Sequence, residues 1–334
     1  MAGCMTPSTR WLLVAVLVVA VAAAATVVWY HRSPAPAARI FVANYKDDTV
    51  SVVDMALERE VQVLPMPDSP FALALCAAPS PLVAVTNSTA SRVTLIDSTT
   101  LEIVGTVPVS KGPEFVVCSP DGTRLYATSP YENTISVVDV AARAPAGKPI
   151  SFDRKPGAIA VAPDGRRIYV LMRDEQGAVL ALNAETGAVE ATAPVGKFPG
   201  DVVVSADGSR IVAASFDDST VTVVDAASFK VLGTYPLATG TGLLLHPRKP
   251  LVYSMAGFDD TVAVLDYETG KEAASIESSK SPTSGAITSD GRFLYVVNEE
   301  SNNLVKFDTE TSKALLRIAV GDQPADAVIV EPPS

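Results

Sequence analysis

Ser119-Pro120-Asp121-Gly122-Thr123-Arg124-Leu125-Tyr126-Ala127-Thr128, followed by Thr134-Ile135-Ser136-Val137-Val138-Asp139, decides the fold. Pro-Asp-Gly reads as a tight turn feeding an alternating apolar strand; a short polar turn and a second such strand, ending on an Asp, come next. The terminal residue recurs at Asp54, Asp97, Asp139, Asn183, Asp225, Asp266 and Asp308, close to every 42 residues.

Seven copies at that period, each made of short strands, predict an all-β seven-bladed β-propeller of four-stranded antiparallel blades. In the third copy the second strand is Arg124 to Thr128 and the third Ile135 to Val138. An outer strand is expected around Lys148 to Phe152, and Pro156 to Ala162 opens the next copy. We name the four strands A to D from the centre outward. Small residues such as Ala158, Ala160, Ala162, Gly285 and Ala286 suit A strands, which converge on the axis. Alternation in B and C reads as strands buried on one side. The A-to-B turns carry Gly122, Gly165, Gly208 and Gly291, where a positive φ is needed. Ala78-Pro79-Ser80-Pro81 and His246-Pro247-Arg248-Lys249 hold that place in two other copies. The domain opens on a B strand, Ile40 to Ala43, and ends on an A strand, Ala325 to Val330, so the last strand is expected to complete the first blade and close the ring.

The repeats resemble those of the YVTN-type β-propeller proteins: Phe41-Val42-Ala43-Asn44 with Thr49 to Asp54, Ile168-Tyr169-Val170, and Leu294-Tyr295-Val296-Val297-Asn298. The resemblance covers residues 39–334. It implies an exported seven-bladed propeller in a family whose members are mostly non-catalytic or uncharacterised. A more distant likeness to the propellers of haem d1 proteins and of the large subunit of quinoprotein amine dehydrogenases implies a redox role instead.

Residues 1–32 form a short tail and a membrane anchor or signal segment, and residues 33–38 a Pro/Ala tether. Residues 11–30 carry no charge and end in Trp11, Trp29 and Tyr30; as a helix they would cover about 30 Å, the thickness of a bilayer core. This favours an uncleaved anchor over a signal peptide cut near Ala35-Pro36-Ala37, and both over a core helix. The propeller is then expected in the periplasm or outside the cell. Cys4 precedes the apolar run, which does not fit lipoprotein acylation. Cys76 and Cys118 occupy similar places in consecutive copies, and the divergence of spokes favours buried thiols over a disulfide.

A net charge of −11 over 334 residues excludes nucleic acid and anionic lipid headgroups as partners. The two histidines, His31 and His246, read as structural, and no Cys-x-x-Cys-His, phosphate loop, Gly-x-Ser-x-Gly or His-Glu-x-x-His is present. No catalytic residue, metal site or cofactor is expected. The recurring Asp residues are turn caps, and Asn87-Ser88-Thr89 is a formal glycosylation sequon.

The B-to-C turns are acidic, at Asp47, Asp48, Glu132, Asp174, Glu175, Asp217, Asp218, Asp259, Asp260, Glu299 and Glu300, and read as solvated charges without calcium-loop spacing. On the same face Lys111, Arg154, Lys155, Lys197 and Lys280 precede the prolines that open A strands. They are the candidate ligand-binding residues, a ring of cations at the channel mouth for a small anionic ligand. The function expected is a monomeric, membrane-tethered binding or scaffolding module that takes a protein partner or such a ligand on this face. The rival is a subunit of a periplasmic redox system.

Overall fold

The computed structural model describes residues 38–77 and 81–332. The apolar run 11–30, residues 33–37 of the tether and residues 78–80 lie outside them. Among the described residues no helix is long and apolar enough to cross a membrane.

Seven separate antiparallel sheets follow one another around a ring. The first joins Pro324–Val330, Arg39–Asn44, Thr49–Asp54 and Arg59–Pro65 in that order, so the last strand is the A strand of blade 1. It pairs with Arg39–Asn44 through six residue pairs, from Arg39 with Val330 to Asn44 with Pro324. Blades 2 to 7 run through the chain in sequence. In blade 3 the D strand is split into Ala144–Pro145 and Ile150–Ser151. Pro145 and Pro149 remove donors from that ladder, and Gly147 at φ +89 turns the chain between the two pieces.

The core is not a single mass. Seven apolar clusters form, one between each pair of adjacent blades; Ile40, Val42, Tyr295, Val297 and Leu304, for example, bind blade 7 to blade 1. Blades stacked face to face bury both sides of their B and C strands. The expected one-sided burial is therefore replaced: Ser51, Thr94 and Thr222, on the polar beat of the alternation, are as buried as their valine neighbours. Only the D strands face water along most of their length, as in Arg59–Pro65.

Local turn chemistry explains the repeat signature. Asp54 Oδ1 accepts the N–H groups of Ala56 and Leu57 at 2.9 and 2.8 Å, and Asp97, Asn183, Asp266 and Asp308 each cap two N–H groups in the same way. Gly122, Gly165, Gly208 and Gly291 take the left-handed conformation that their turns require. In blade 6, His246 does the work of a capping Asp: its Nδ1 accepts from Arg248 and Lys249 N–H, both at 3.0 Å. Burial, then Lys249, pushes its pKa below the ordinary histidine value, in keeping with an acceptor nitrogen. Asn87 is fully buried and accepts from Thr94 Oγ1 at 2.6 Å, so the sequon is a core element and not a glycan acceptor.

Cys76 and Cys118 form a disulfide, with Cα atoms 5.3 Å apart. The expectation of two thiols fails because both residues end A strands, at the hub of the wheel. Spokes diverge at the rim; at the hub, adjacent blades are close enough to be bridged.

Candidate functional site

The B-to-C turns and the D-to-A connections share one face, and the structure shows why the former are acidic. Asp48 accepts the Ser69 N–H at 2.6 Å, Glu132 that of Lys111 at 3.1 Å, Asp218 that of Lys197 at 2.7 Å and Asp260 that of Ser281 at 2.8 Å. Asp47 accepts the N–H of Asp322 across the closure at 2.6 Å. These carboxylates clamp each incoming connection to the hairpin beside it. They are structural acceptors, not merely solvated charges.

On this face a central cavity of about 930 Å³ opens, lined by residues from all seven blades, which places it on the ring axis. None of Lys111, Arg154, Lys155, Lys197 and Lys280 lines it. The four lysines are exposed. Arg154 is tied to Asp174 by two hydrogen bonds, at 2.6 and 2.5 Å, which raise its own pKa and hold the Asp174 carboxyl below the usual range. The charged lumen residues are instead Glu114, Asp201, Asp217, Glu299, Asp326 and Arg173, and Arg173 already pairs with Glu114 at 2.7 Å.

Strand register shows how the lumen is organised. Asp326, Ala72, Phe115, Ala158, Asp201, Gly242 and Ser284 occupy one equivalent A-strand position in blades 1 to 7. Blades 2 to 4 therefore offer Ala, Phe and Ala, while blades 5, 6, 7 and 1 offer Asp, Gly, Ser and Asp. At this layer blades 2 to 4 are apolar and blades 5, 6, 7 and 1 polar or small, while the Glu114–Arg173 pair on blades 3 and 4 and Phe198 and Phe216 on blade 5 also line the cavity. Phe71 adds to the apolar surface of blade 2, packing edge-on between Tyr45 and Phe115 with ring centroids 6.2 and 6.3 Å away.

Both inner carboxyls also link blades. Asp201 Oδ2 accepts the Leu243 N–H of the next blade at 2.7 Å and its Oδ1 the Val202 N–H at 2.7 Å. Asp326 Oδ2 accepts from Leu73 N–H at 2.7 Å, and its Oδ1 accepts from Ser284 Oγ at 2.5 Å and from Ala327 N–H at 2.9 Å. Each keeps some surface on the lumen, yet protein surrounds it on the other sides. Burial pushes Asp201 up to about 7, against the two N–H bonds and helped by the Asp326 charge. Burial likewise pushes Asp326 up to about 6, against its three hydrogen bonds.

A stability profile follows. Carboxyls whose pKa is higher folded than unfolded bind extra protons on folding, so stability rises as pH falls from above 7 toward about 4. Below that, turn carboxylates such as Asp207, held at about 2 by Ser205 and Ser209, begin to lose their contribution. Thermal melts are expected to peak between about pH 4 and 5.5 and to weaken by a few kcal/mol toward pH 8, after allowance for water in the lumen. Asp201→Asn/Asp326→Asn is expected to flatten the slope from pH 5.5 to 8; an unchanged slope would assign it to other groups.

Neither inner carboxyl was singled out in the sequence. The available signal was Pro-x-Asp at 199–201 and 324–326, a charge inside an A strand where other copies carry Ala, Gly, Ser or Phe.

No curated protein matches the chain. Among solved structures, hydrazine synthase from Kuenenia stuttgartiensis is similar at 19% identity and a TM-score of 0.73, over 80% of this chain and 91% of that one. The periplasmic gluconolactonase PpgL of Pseudomonas aeruginosa is similar at 19% identity and a TM-score of 0.74, over 89% and 99%. At that identity they share the fold. A family model, the cytochrome D1 heme domain, matches residues 152–331, from the end of blade 3 through the closing strand. A haem there needs an axial ligand. The lumen residues include no histidine, cysteine or methionine, and their one phenol, Tyr45, packs against Phe71. His246 is spent on a turn at the opposite face. These residues do not fit a histidine-ligated haem, and the redox reading is not favoured. With just over half of its length matched, the chain belongs to the cytochrome D1 heme domain family, in a form whose funnel, among the described residues, is lined by no histidine, cysteine or methionine.

Proposed function

We propose that this protein is a non-catalytic binding propeller, held outside the cytoplasm by residues 11–30, whose working site is the axial funnel. The observation that carries the reading is the composition of the lumen: a cavity of ligand size that presents aromatic rings together with carboxyl and hydroxyl groups. The Cys76–Cys118 disulfide supports an oxidising compartment. The exposed rim of this face, where Lys111, Lys155, Lys197 and Lys280 alternate with the acidic turns, suits a protein partner docking over the mouth, while the funnel takes the small ligand.

A library of cationic, neutral and anionic fragments screened by saturation-transfer NMR tests this. Binding of at least one fragment is expected to fall about tenfold or more in Phe115→Ala, which removes an aromatic contact from the wall. A screen with no Phe115-dependent fragment would end the reading.

A second reading rests on Ser284 Oγ, 2.5 Å from Asp326 Oδ1, with Asp201 at the equivalent position of blade 5. Carboxyls poised near neutrality beside a hydroxyl suit acid–base chemistry on a neutral ring, and by analogy with the gluconolactonase a sugar lactone is the substrate to try. Accelerated hydrolysis of δ-gluconolactone, lost in Asp326→Asn, would replace the non-catalytic reading.

A further inference from the structure

The charge and shape of the lumen go further than a binding site of unspecified content. Five carboxyl groups reach it, from Glu114, Asp201, Asp217, Glu299 and Asp326, against one guanidinium that Glu114 already neutralises. An anion entering would meet uncompensated like charge. A cation would meet a favourable field that a concave, low-dielectric wall strengthens.

Asp201 and Asp326 lie at the same depth in blades 5 and 1, three steps apart around the ring, with Gly242 of blade 6 and Ser284 of blade 7 at that depth between them. Asp201 Oδ1, Asp201 Oδ2 and Asp326 Oδ2 each accept a single backbone N–H and keep capacity for a second donor, whereas Asp326 Oδ1 is filled by Ser284 and Ala327; each group retains surface on the lumen. Phe71 and Phe115 on blades 2 and 3 offer ring surface without a hydrogen-bonding group, with the Glu114–Arg173 pair on blades 3 and 4 also lining the cavity, and Phe198 and Phe216 line it from blade 5. The occupant that satisfies both kinds of surface has donors and positive charge at one end and a flat apolar body at the other.

Resting on the funnel reading above, we infer that the funnel binds an organic ammonium ligand, its charged nitrogen held by Asp201 and Asp326 and its apolar body against Phe71 and Phe115. An ammonium carries donors for the open carboxyl lone pairs and no acceptor that the carboxyls would repel. Its charge also pays part of the cost of keeping two carboxylates in a protein-lined lumen. Aromatic walls add attraction for the cation wherever it lies over a ring face.

The test is calorimetric titration of the full-length protein at pH 8 with phenethylammonium, and with 2-phenylethanol and phenylacetate as neutral and anionic counterparts of the same shape. Phenethylammonium is expected to bind one per chain, at least tenfold more tightly than 2-phenylethanol, with phenylacetate weaker still. Asp201→Asn and Asp326→Asn, checked for folding by thermal melt, are each expected to weaken the ammonium at least fivefold and leave the alcohol within twofold. Equal affinity for the alcohol, preference for phenylacetate, no binding of the ammonium, or insensitivity to both substitutions overturns the inference. Neutral or anionic fragments that still depend on Phe115 would then leave the binding reading standing. The absence of any Phe115-dependent ligand removes both.

Discussion

Deleting residues 320–334 is expected to abolish the single cooperative unfolding transition. The deleted segment carries the A strand of blade 1, Pro324–Val330, whose six ladder pairs with Arg39–Asn44 are the only sheet pairing between the two ends of the propeller among the described residues. At about 0.5–1.5 kcal/mol per net hydrogen bond, that ladder alone is worth several kcal/mol. Burial of Ala327 and Val330 adds to it, as do the Asp326 bonds to Leu73 and Ser284 and the bonds that fix Asp322 and Gln323 to Asp47 and Asn302. The sum reaches a large part of the 5–15 kcal/mol that separates folded from unfolded domains. The truncated chain would also expose the inner edge of Arg39–Asn44, a template for pairing with another molecule. Scanning calorimetry of the truncated protein is expected to show a broad, low-enthalpy transition together with concentration-dependent association. A sharp transition of near-full enthalpy would mean that blades 2 to 7 are self-sufficient and that closure contributes little.

Opening the Cys76–Cys118 bridge comes next in size. The bridge spans a sequence separation of 42 residues; cross-linking a loop of that length removes unfolded-state entropy worth about 4 kcal/mol. Cys76→Ala/Cys118→Ala is therefore expected to lower the melting temperature by several degrees, with reduction of the wild-type protein giving a similar fall. Thiol titration in denaturant is expected to find two fewer reactive groups before reduction than after it. A melting temperature within a degree of wild type would show that the wedge core between blades 2 and 3, with Leu95, Val107, Leu125 and Val138 at its centre, holds this pair of blades without help.

Much of the architecture was legible because it is written in local chemistry that repeats. A turn-capping Asp acts on N–H groups two and three residues away, and a Pro-Asp-Gly turn is self-contained, so each leaves a mark that needs no tertiary partner. Strand placement failed where a second constraint intervened, as in blade 3, where Pro145, Gly147 and Pro149 divided the outer strand. One-sided alternation was misread for a related reason: a serine or threonine inside a stacked blade can be buried as fully as a valine when its hydroxyl finds a partner, as Ser51 does with Asn44 at 2.8 Å.

The site was much less legible. Position along the chain put the cations near the prolines that open A strands, but side-chain direction sent the lysines to the exposed rim and Arg154 to Asp174. The residues that do reach the axis are scattered through the chain, with Asp201 and Asp326 separated by 125 positions.

By itself the sequence determined the number of blades, the turn chemistry and the closure by a terminal strand, all of which depend on the repeat and its neighbours in the chain. Only the tertiary structure decided which residues meet at the hub. Wrapping seven near-identical sheets around an axis brings one chosen position of each A strand into a common layer, where two raised carboxyls and Phe115 come to share a lumen, and brings the far ends of two neighbouring A strands close enough for the disulfide. No interval within a single repeat encodes that meeting, because it arises from the angle at which the repeats close.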